Sequence, residues 1–183
     1  MRIISLLAAA TLLALPGCSK PATDAAGTAP AAAQSDQSIA DAVVNDGQFK
    51  TLAAGLKSTG LDGVFAGKGG YTLLAPTDAA FSALGDKGAA LTAPDQQALL
   101  AAVLRGHVMP GAITLEDLGK AIDANGGKPV KMRTMGSGSV SFARQGAEMT
   151  VTADDGSTAK LSGGGLVATN GEVLPIDGVL KKF

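Results

Sequence analysis

Apolar positions change their spacing along the chain, and this change predicts helices in its first part and strands in its second. Around residues 49–56, apolar side chains recur every three or four positions, which is typical of an amphipathic helix. From residue 128 onwards they alternate with polar side chains, as in half-buried strands. Turn-forming pairs such as Asn170-Gly171 separate these later runs. Helices followed by an antiparallel meander predict an α+β fold.

The segment 71–81 carries the clearest local signal, a strand that stops sharply and leads into a helix. Its first four residues are apolar or favour strands, and Pro76 ends the run because it has no N–H to donate. Thr77 is suited to cap the next helix, and Asp78 would lie in the first turn, where the helix dipole favours negative charge. Phe81 follows Thr77 by one helical turn and is expected to pack back onto the strand.

Other polar residues stand where helices are expected to begin. Ser38 and Asp41 have the spacing of a capping pair. Thr92 and Pro94 are expected to open the best-defined helix of the chain. Thr114 is expected to cap a short helix. The buried stripe of the helix after Pro94 is predicted to consist of Leu99, Leu100, Val103 and Leu104.

Residues 1–18 are predicted to be a signal peptide. The apolar run 3–15 is too short to span a bilayer, and it leads into Leu15-Pro16-Gly17-Cys18. This sequence resembles the processing box of bacterial lipoproteins, and Cys18 is the only cysteine of the chain. The resemblance implies that Cys18 is lipidated and anchors an exported protein in the cell envelope. Ser19 then favours the outer membrane. The alternative is an ordinary secretory signal with an incidental cysteine.

Residues 19–37 are predicted to form a disordered tether rich in alanine, proline and threonine. They include no large apolar side chain, so they cannot bury enough surface to offset the entropy lost on ordering. The folded domain is therefore expected to comprise residues 38–183.

Three segments of this domain resemble the signature segments of the fasciclin family, which consists of extracytoplasmic adhesion modules. The first is 71–81, and the second is 107–111, where Gly106 replaces the preceding tyrosine of the family. The third is 169–180, where Leu174 replaces a histidine. The resemblance implies a fasciclin-like fold with N-terminal helices packed on a mostly antiparallel β-sheet wedge. It also implies a binding or adhesion function, with a protein or a cell-surface or matrix component as partner.

Composition and charge argue against most other classes of function. A formal net charge of −1 gives no basic patch for nucleic acid, so no nucleic-acid partner is expected. His107 is the only histidine, which excludes a histidine-rich metal site. A Ser-His-Asp set around His107 would lack the Gly-x-Ser-x-Gly elbow that supports such a nucleophile. We therefore predict a protein that is not an enzyme and uses no cofactor.

Polar residues in and near the signature segments are candidates either for an interaction site or for structural roles. The structural alternatives are helix caps, a histidine bonded to the backbone and a hydrogen bond at a strand end. The candidates are Thr77, Asp78, His107 and Asp177. A carrier that holds an apolar small molecule in a helix–sheet cleft is the alternative function, and it would require a sizeable apolar pocket.

Three further expectations concern the last part of the chain. Glu172 is expected to face water. Pro175, inside a strand pattern, predicts an edge strand or a bulge. Gly163-Gly164-Gly165 is expected to be a flexible connection or a close approach between backbones.

Overall fold

The computed structural model describes residues 33–34, 36–67 and 69–183. Its helices are α1 (Ile39–Asn45), α2 (Lys50–Ser58), α3 (Asp62–Phe65), α4 (Asp78–Ala83), α5 (Asp86–Leu91), α6 (Gln97–Gly106) and α7 (Leu115–Ala124), with a 3-10 turn over Pro94–Gln96. Its strands are β1 (Ala33–Gln34), β2 (Tyr71–Pro76), β3 (Val108–Pro110), β4 (Val130–Arg133), β5 (Ser139–Gln145), β6 (Glu148–Ala153), β7 (Thr158–Lys160), β8 (Leu166–Ala168) and β9 (Gly171–Ile176). Helices dominate the first part and strands the second, which confirms the predicted α+β class.

β2 and β9 pair in parallel inside a five-stranded sheet with the order β1-β8-β9-β2-β3. The register runs from Tyr71 opposite Gly171 to Pro76 opposite Ile176. β3 and β8 flank this pair in antiparallel orientation. Most pairings of the fold are antiparallel, as predicted, but the parallel central pair is not part of the expected meander. The alternation pattern describes each strand alone and carries no information on pairing between strands so far apart in the chain.

The second sheet has the order β4-β5-β6-β7 and is antiparallel throughout, which is the meander that the alternation predicted. Backbone contacts join it to the first sheet near β3 and near the end of β9. Met135 N donates to Val108 O at 2.7 Å, beside β3. Leu161 forms a bridge with Ile176, beside the end of β9. The two sheets are therefore linked along both sides.

The core divides into two clusters on opposite faces of the first sheet. Leu73 and Val173 face the helices, in a cluster that includes Phe49, Leu52 and Phe65. The next residue on each strand points the other way, because successive side chains of a strand alternate between its faces. The second cluster consists of Leu74, Met109, Leu118, Ile122, Val140, Phe142, Val151, Ala159, Leu174, Ile176 and Leu180. β2 and β9 thus contribute to both halves of the core.

The start of α6 differs from the sequence prediction. Thr92 does not cap it, since its hydroxyl donates to Gly88 O at 3.2 Å and Ala89 O at 3.1 Å at the end of α5. Pro94 begins the 3-10 turn, and α6 starts only at Gln97. In α6, Leu100, Val103 and Leu104 are buried, whereas Leu99 is 40% exposed and does not belong to the buried stripe. Thr114 caps α7 in a full capping box, and this helix is longer than expected.

The predicted tether is paired with the domain at its end. The backbone of Ala33–Gln34 forms β1, which runs parallel to β8 along its free edge. Thr169 N also donates to Gln37 O at 2.9 Å. Among the described residues, contacts with the domain therefore begin at Ala33, ahead of the predicted start at residue 38. The predicted signal peptide, with Cys18, and most of the predicted tether lie outside the described residues.

Pro175 lies in the interior strand β9, not in an edge strand as predicted. The fold tolerates it because the pairing of β8 with β9 ends at Val173. Pro175 therefore lies beyond the last β8 residue that would need its N–H, and its carbonyl still accepts from Ser162 N at 2.8 Å.

Candidate functional site

The pairing of β2 with β9 brings the candidate residues to one end of the first sheet. Thr77 N donates to Ile176 O at 3.2 Å, so Thr77 and Asp177 leave the sheet side by side. His107 precedes β3, and its carbonyl accepts from Leu74 N at 2.8 Å near the same end of β2. The four candidates, which come from three separate parts of the sequence, are therefore gathered in one region.

Thr77 and Asp78 cap two different helices. The hydroxyl of Thr77 accepts from Ala80 N at 3.2 Å and caps its own helix, α4. The carboxylate of Asp78 instead accepts from Thr51 N at 2.7 Å and Lys50 N at 3.3 Å. These are the first amides of α2, which has no side-chain cap of its own. Asp78 therefore joins α4 to α2, a role that its position in the sequence does not indicate.

The hydrogen bonds to Asp78 also decide its charge state. Partial burial would raise the pKa of this carboxyl, but the bonds from Thr51 and Lys50 outweigh that effect and lower it. Asp78 is thus held as an anion at the positive end of α2, which stabilises the start of the helix.

His107 is fully buried, and the backbone engages both nitrogens of its ring. Nδ1 lies 2.8 Å from Val103 O, and Nε2 accepts from Leu180 N at 2.9 Å. The first contact requires a proton on Nδ1 and the second a lone pair on Nε2, so the neutral ring satisfies both. Burial lowers the pKa of His107 to about 4, although the Val103 carbonyl and the charge of Asp155 act in the opposite direction. His107 links α6 to the segment after β9.

Asp177 fixes the end of β9 to β7. Its carboxylate accepts from Lys160 N at 2.7 Å, and its own N–H donates to Lys160 O at 3.0 Å. Asp155 holds the same final segment by accepting from Lys182 N at 2.8 Å. The side chains of Asp78, His107 and Asp177 are therefore bonded to the backbone of other elements, and Thr77 caps its own helix. As a group these residues organise the fold.

Glu172 is the residue that the sequence expectation placed wrongly. It lies on the interior strand β9 and is 1% exposed, so it does not face water. Its Oε1 atom has no hydrogen-bond partner in the described part of the chain. Burial, followed by the negative charge of Asp117, raises the pKa of this carboxyl to about 7. The burial arises from the neighbouring strands β2 and β8, which the local sequence does not reveal.

Asn170-Gly171 does more than form the predicted turn. The side-chain oxygen of Asn170 accepts from Ile39 N at 2.8 Å, at the start of α1. Its side-chain nitrogen donates to Phe65 O at the end of α3 and to Gly67 O just after it. Gly171 has a φ of 150° and packs against Tyr71 O, where a Cβ would lie at 1.9 Å. A side chain is therefore excluded at the first residue of β9.

The comparison with known families decides the classification of this chain. The family model of the Fasciclin domain matches residues 47–182. The chain belongs to the fasciclin family. Fasciclin domains are generally binding or adhesion modules and generally not enzymes.

Two relatives and one solved structure illustrate how far the similarity extends. Protein sll1483 of Synechocystis is 34% identical over 85 residues, which are 46% of this chain and 47% of the relative. The uncharacterized protein sll1735 of Synechocystis is 33% identical over 94 residues, 50% of this chain and 70% of the relative. The chain thus spans about half of the first relative and more of the second. A FAS1 domain pair from the insect cell adhesion molecule fasciclin I superposes with a TM-score of 0.69 at 16% identity, over 80% of this chain and 51% of that one.

Two open pockets lie on the surface of this fasciclin domain. One, of about 260 Å³, lies between α5, the start of α6 and Phe183, and includes the exposed Leu99. The other, of about 410 Å³, lies between α1 and β8 and is lined by Gln37, Ala42, Asn45, Asp46, Gly47 and Leu166. Neither is the large apolar cleft between helices and sheet that a carrier would need.

Two further findings concern metal binding and membrane crossing in the described part of the chain. Its His, Cys, Asp and Glu side chains form no group of three or more that could hold a metal ion. No helix within it has both the length and the apolar character needed to cross a membrane.

Proposed function

We propose that this chain is a non-catalytic binding or adhesion module, anchored in the bacterial cell envelope and exposed on its extracytoplasmic side. The observation that carries the proposal is the match to the Fasciclin domain over residues 47–182. The bonding of His107 supports the non-catalytic part, because a ring whose two nitrogens are both engaged by backbone cannot accept a proton without losing the bond from Leu180. The partner would be a protein or a component of a cell surface or matrix.

Lipidation of Cys18 would supply the anchor. A lipoprotein anchor carries more than one acyl chain, and each buried methylene contributes about 0.8 kcal/mol to membrane binding. Cells producing the full chain are expected to incorporate a fatty-acid probe into it, and Cys18→Ala is expected to abolish the label and the processing. An unlabelled wild-type protein in a bacterial host with lipoprotein processing would contradict this part of the proposal.

Binding can be tested separately from anchoring. The full chain and its Cys18→Ala variant, both displayed on identical beads, are expected to bind whole cells in a saturable way that excess soluble protein suppresses. Beads carrying a heat-unfolded sample provide the control. Binding that does not saturate, or that the unfolded control reproduces, would contradict a specific adhesion function. Because lipid attachment is not needed on beads, this result is independent of the anchor.

A further inference from the structure

Glu172 lies on the interior strand β9, and a short segment near the edge of the first sheet covers its carboxyl. The cover consists of the segment 163–168, which contains Gly163-Gly164-Gly165 and the three-residue strand β8. Beyond β8, the described part of the sheet has only the two-residue strand β1. A short strand near a sheet edge has few hydrogen bonds to break, so it belongs to the part of a fold that opens most easily.

The contact between Glu172 and this cover is close. A Cβ on Gly165 would lie 2.1 Å from Glu172 Oε1 and 2.9 Å from Leu174 Cδ2, so the backbone of Gly165 rests directly on the carboxyl and its apolar neighbour. Val167 lies opposite Glu172 in the register of β8 and β9. The expected close approach of the glycine run is therefore found at Gly165, and the carboxyl is sealed by the segment it touches.

No positive charge compensates Glu172 within the described residues. β2 and β8, which flank it, carry no charged side chain. On the other face of β9, Ile39 of α1 approaches Gly171.

The charged residues of α7 are Glu116, Asp117, Lys120 and Asp123. Asp117 opposes ionisation of Glu172, Lys120 is paired with Glu116 at 2.7 Å, and Arg144 of β5 is paired with Asp123 at 3.0 Å.

We propose that Glu172 is a proton-operated latch, whose neutral carboxyl keeps the segment 163–168 closed against β9 and whose ionisation releases it. A buried carboxylate without a hydrogen-bond donor or a cation is strongly unfavourable, whereas the neutral acid costs much less. Opening the cover admits water to the carboxylate, and it breaks the short pairings of β8 and separates Leu166 and Ala168 from the helix-side core cluster. The raised pKa of about 7 sets the change close to neutral pH. The latch does not depend on the proposed adhesion function.

Hydrogen exchange of the full chain tests the latch. Protection is measured as the ratio of intrinsic to observed amide exchange rates between about pH 5 and pH 8. In the wild type, protection of amides 165–168 is expected to fall by up to about tenfold per pH unit until the carboxyl is ionised. Amides of β2 are expected to keep their protection. Glu172→Gln, which stays neutral, is expected to show constant protection, and Asp86→Asn, which neutralises an exposed carboxyl of α5, is expected to follow the wild type.

A second variant and a direct titration cover the case in which Glu172→Gln does not fold. Gly165→Ala places a methyl group against the carboxyl, so protection of 165–168 is expected to be low at every pH. The side-chain carboxyl of wild-type Glu172, followed by ¹³C NMR, is expected to titrate near pH 7. A titration near the ordinary value of 4.5 would overturn the latch. Equal loss of protection in β2 and β8, or the same pH dependence in Glu172→Gln, would also overturn it.

Discussion

Asp78 shows how a single side chain can stabilise an element distant in the sequence. It lies in the first turn of α4, but its oxygens accept the free amides of Thr51 and Lys50 at the start of α2. Phe49, which occupies the N-cap position of α2, offers no side-chain acceptor. Helix α2 therefore depends on α4 for its cap, and the contact fixes the angle between the two helices.

Removing this shared cap should destabilise the domain more than removing an ordinary one. Asp78→Ala is expected to lower the free energy of unfolding by about 2 kcal/mol, because two bonds to a charged acceptor are lost. Thr77→Ala, which removes only the bond from Ala80, is expected to cost about 1 kcal/mol. Asp86→Ala is the control, since Asp86 is an exposed first-turn acid of α5, and a change within about 0.5 kcal/mol is expected. Urea unfolding measures all three, and a cost for Asp78→Ala no larger than that for Asp86→Ala would contradict the cross-helix cap.

At the scale of elements, local signals in the sequence predict those structures that local interactions determine. The capping boxes at Ser38 and Thr114 and the strand–helix unit at 71–81 form within a few residues, so the sequence reveals them. The burial of Glu172 depends instead on strands from distant parts of the chain. The apolar run after Glu172 in β9 is typical of a strand covered on both faces, but it does not show that the carboxyl at the start of the strand is covered too.

The tether contributes to stability through β1. A chain beginning at residue 38 lacks the pairing of Ala33–Gln34 with β8 and the Gln37 carbonyl that accepts from Thr169. Relative to a chain beginning at residue 19, it is expected to unfold cooperatively with a free energy lower by on the order of 1–2 kcal/mol. A chain beginning at residue 33 is expected to match the longer one. Equal urea midpoints for all three chains would show that β1 does not stabilise the domain. That result would agree with the disordered tether that the sequence predicts.

At the scale of the whole molecule, two buried groups titrate in opposite directions. The two groups lie in different parts of the domain. His107 lies between α6 and the segment after β9, and Glu172 lies on β9 beside β8. The folded pKa of His107 is about 4, below its ordinary 6.5, so between these values the unfolded chain binds the extra proton and stability rises with pH. The folded pKa of Glu172 is about 7, above its ordinary 4.5, so between these values the folded chain holds the extra proton and stability falls as pH rises.

The two slopes should nearly cancel in the wild type between pH 4.5 and 6.5, where both windows overlap. Each slope is about 1.4 kcal/mol per pH unit, so cancellation leaves a plateau in the free energy of unfolding. The carboxyls with lowered pKa values, such as Asp78 and Asp155, lose their contribution only at more acidic pH and do not disturb this window.

Glu172→Gln removes one slope and should expose the other. Its free energy of unfolding is expected to rise with pH between about 4 and 6.5, and then to remain constant while that of the wild type falls towards pH 7. At pH values above 7 the variant is therefore expected to be more stable than the wild type by up to about 3 kcal/mol. Asp86→Asn, which changes an exposed carboxyl of α5, is expected to keep the plateau. Urea unfolding at a series of pH values measures these profiles, and a variant whose stability did not change across the overlap would show that the two buried groups do not oppose each other.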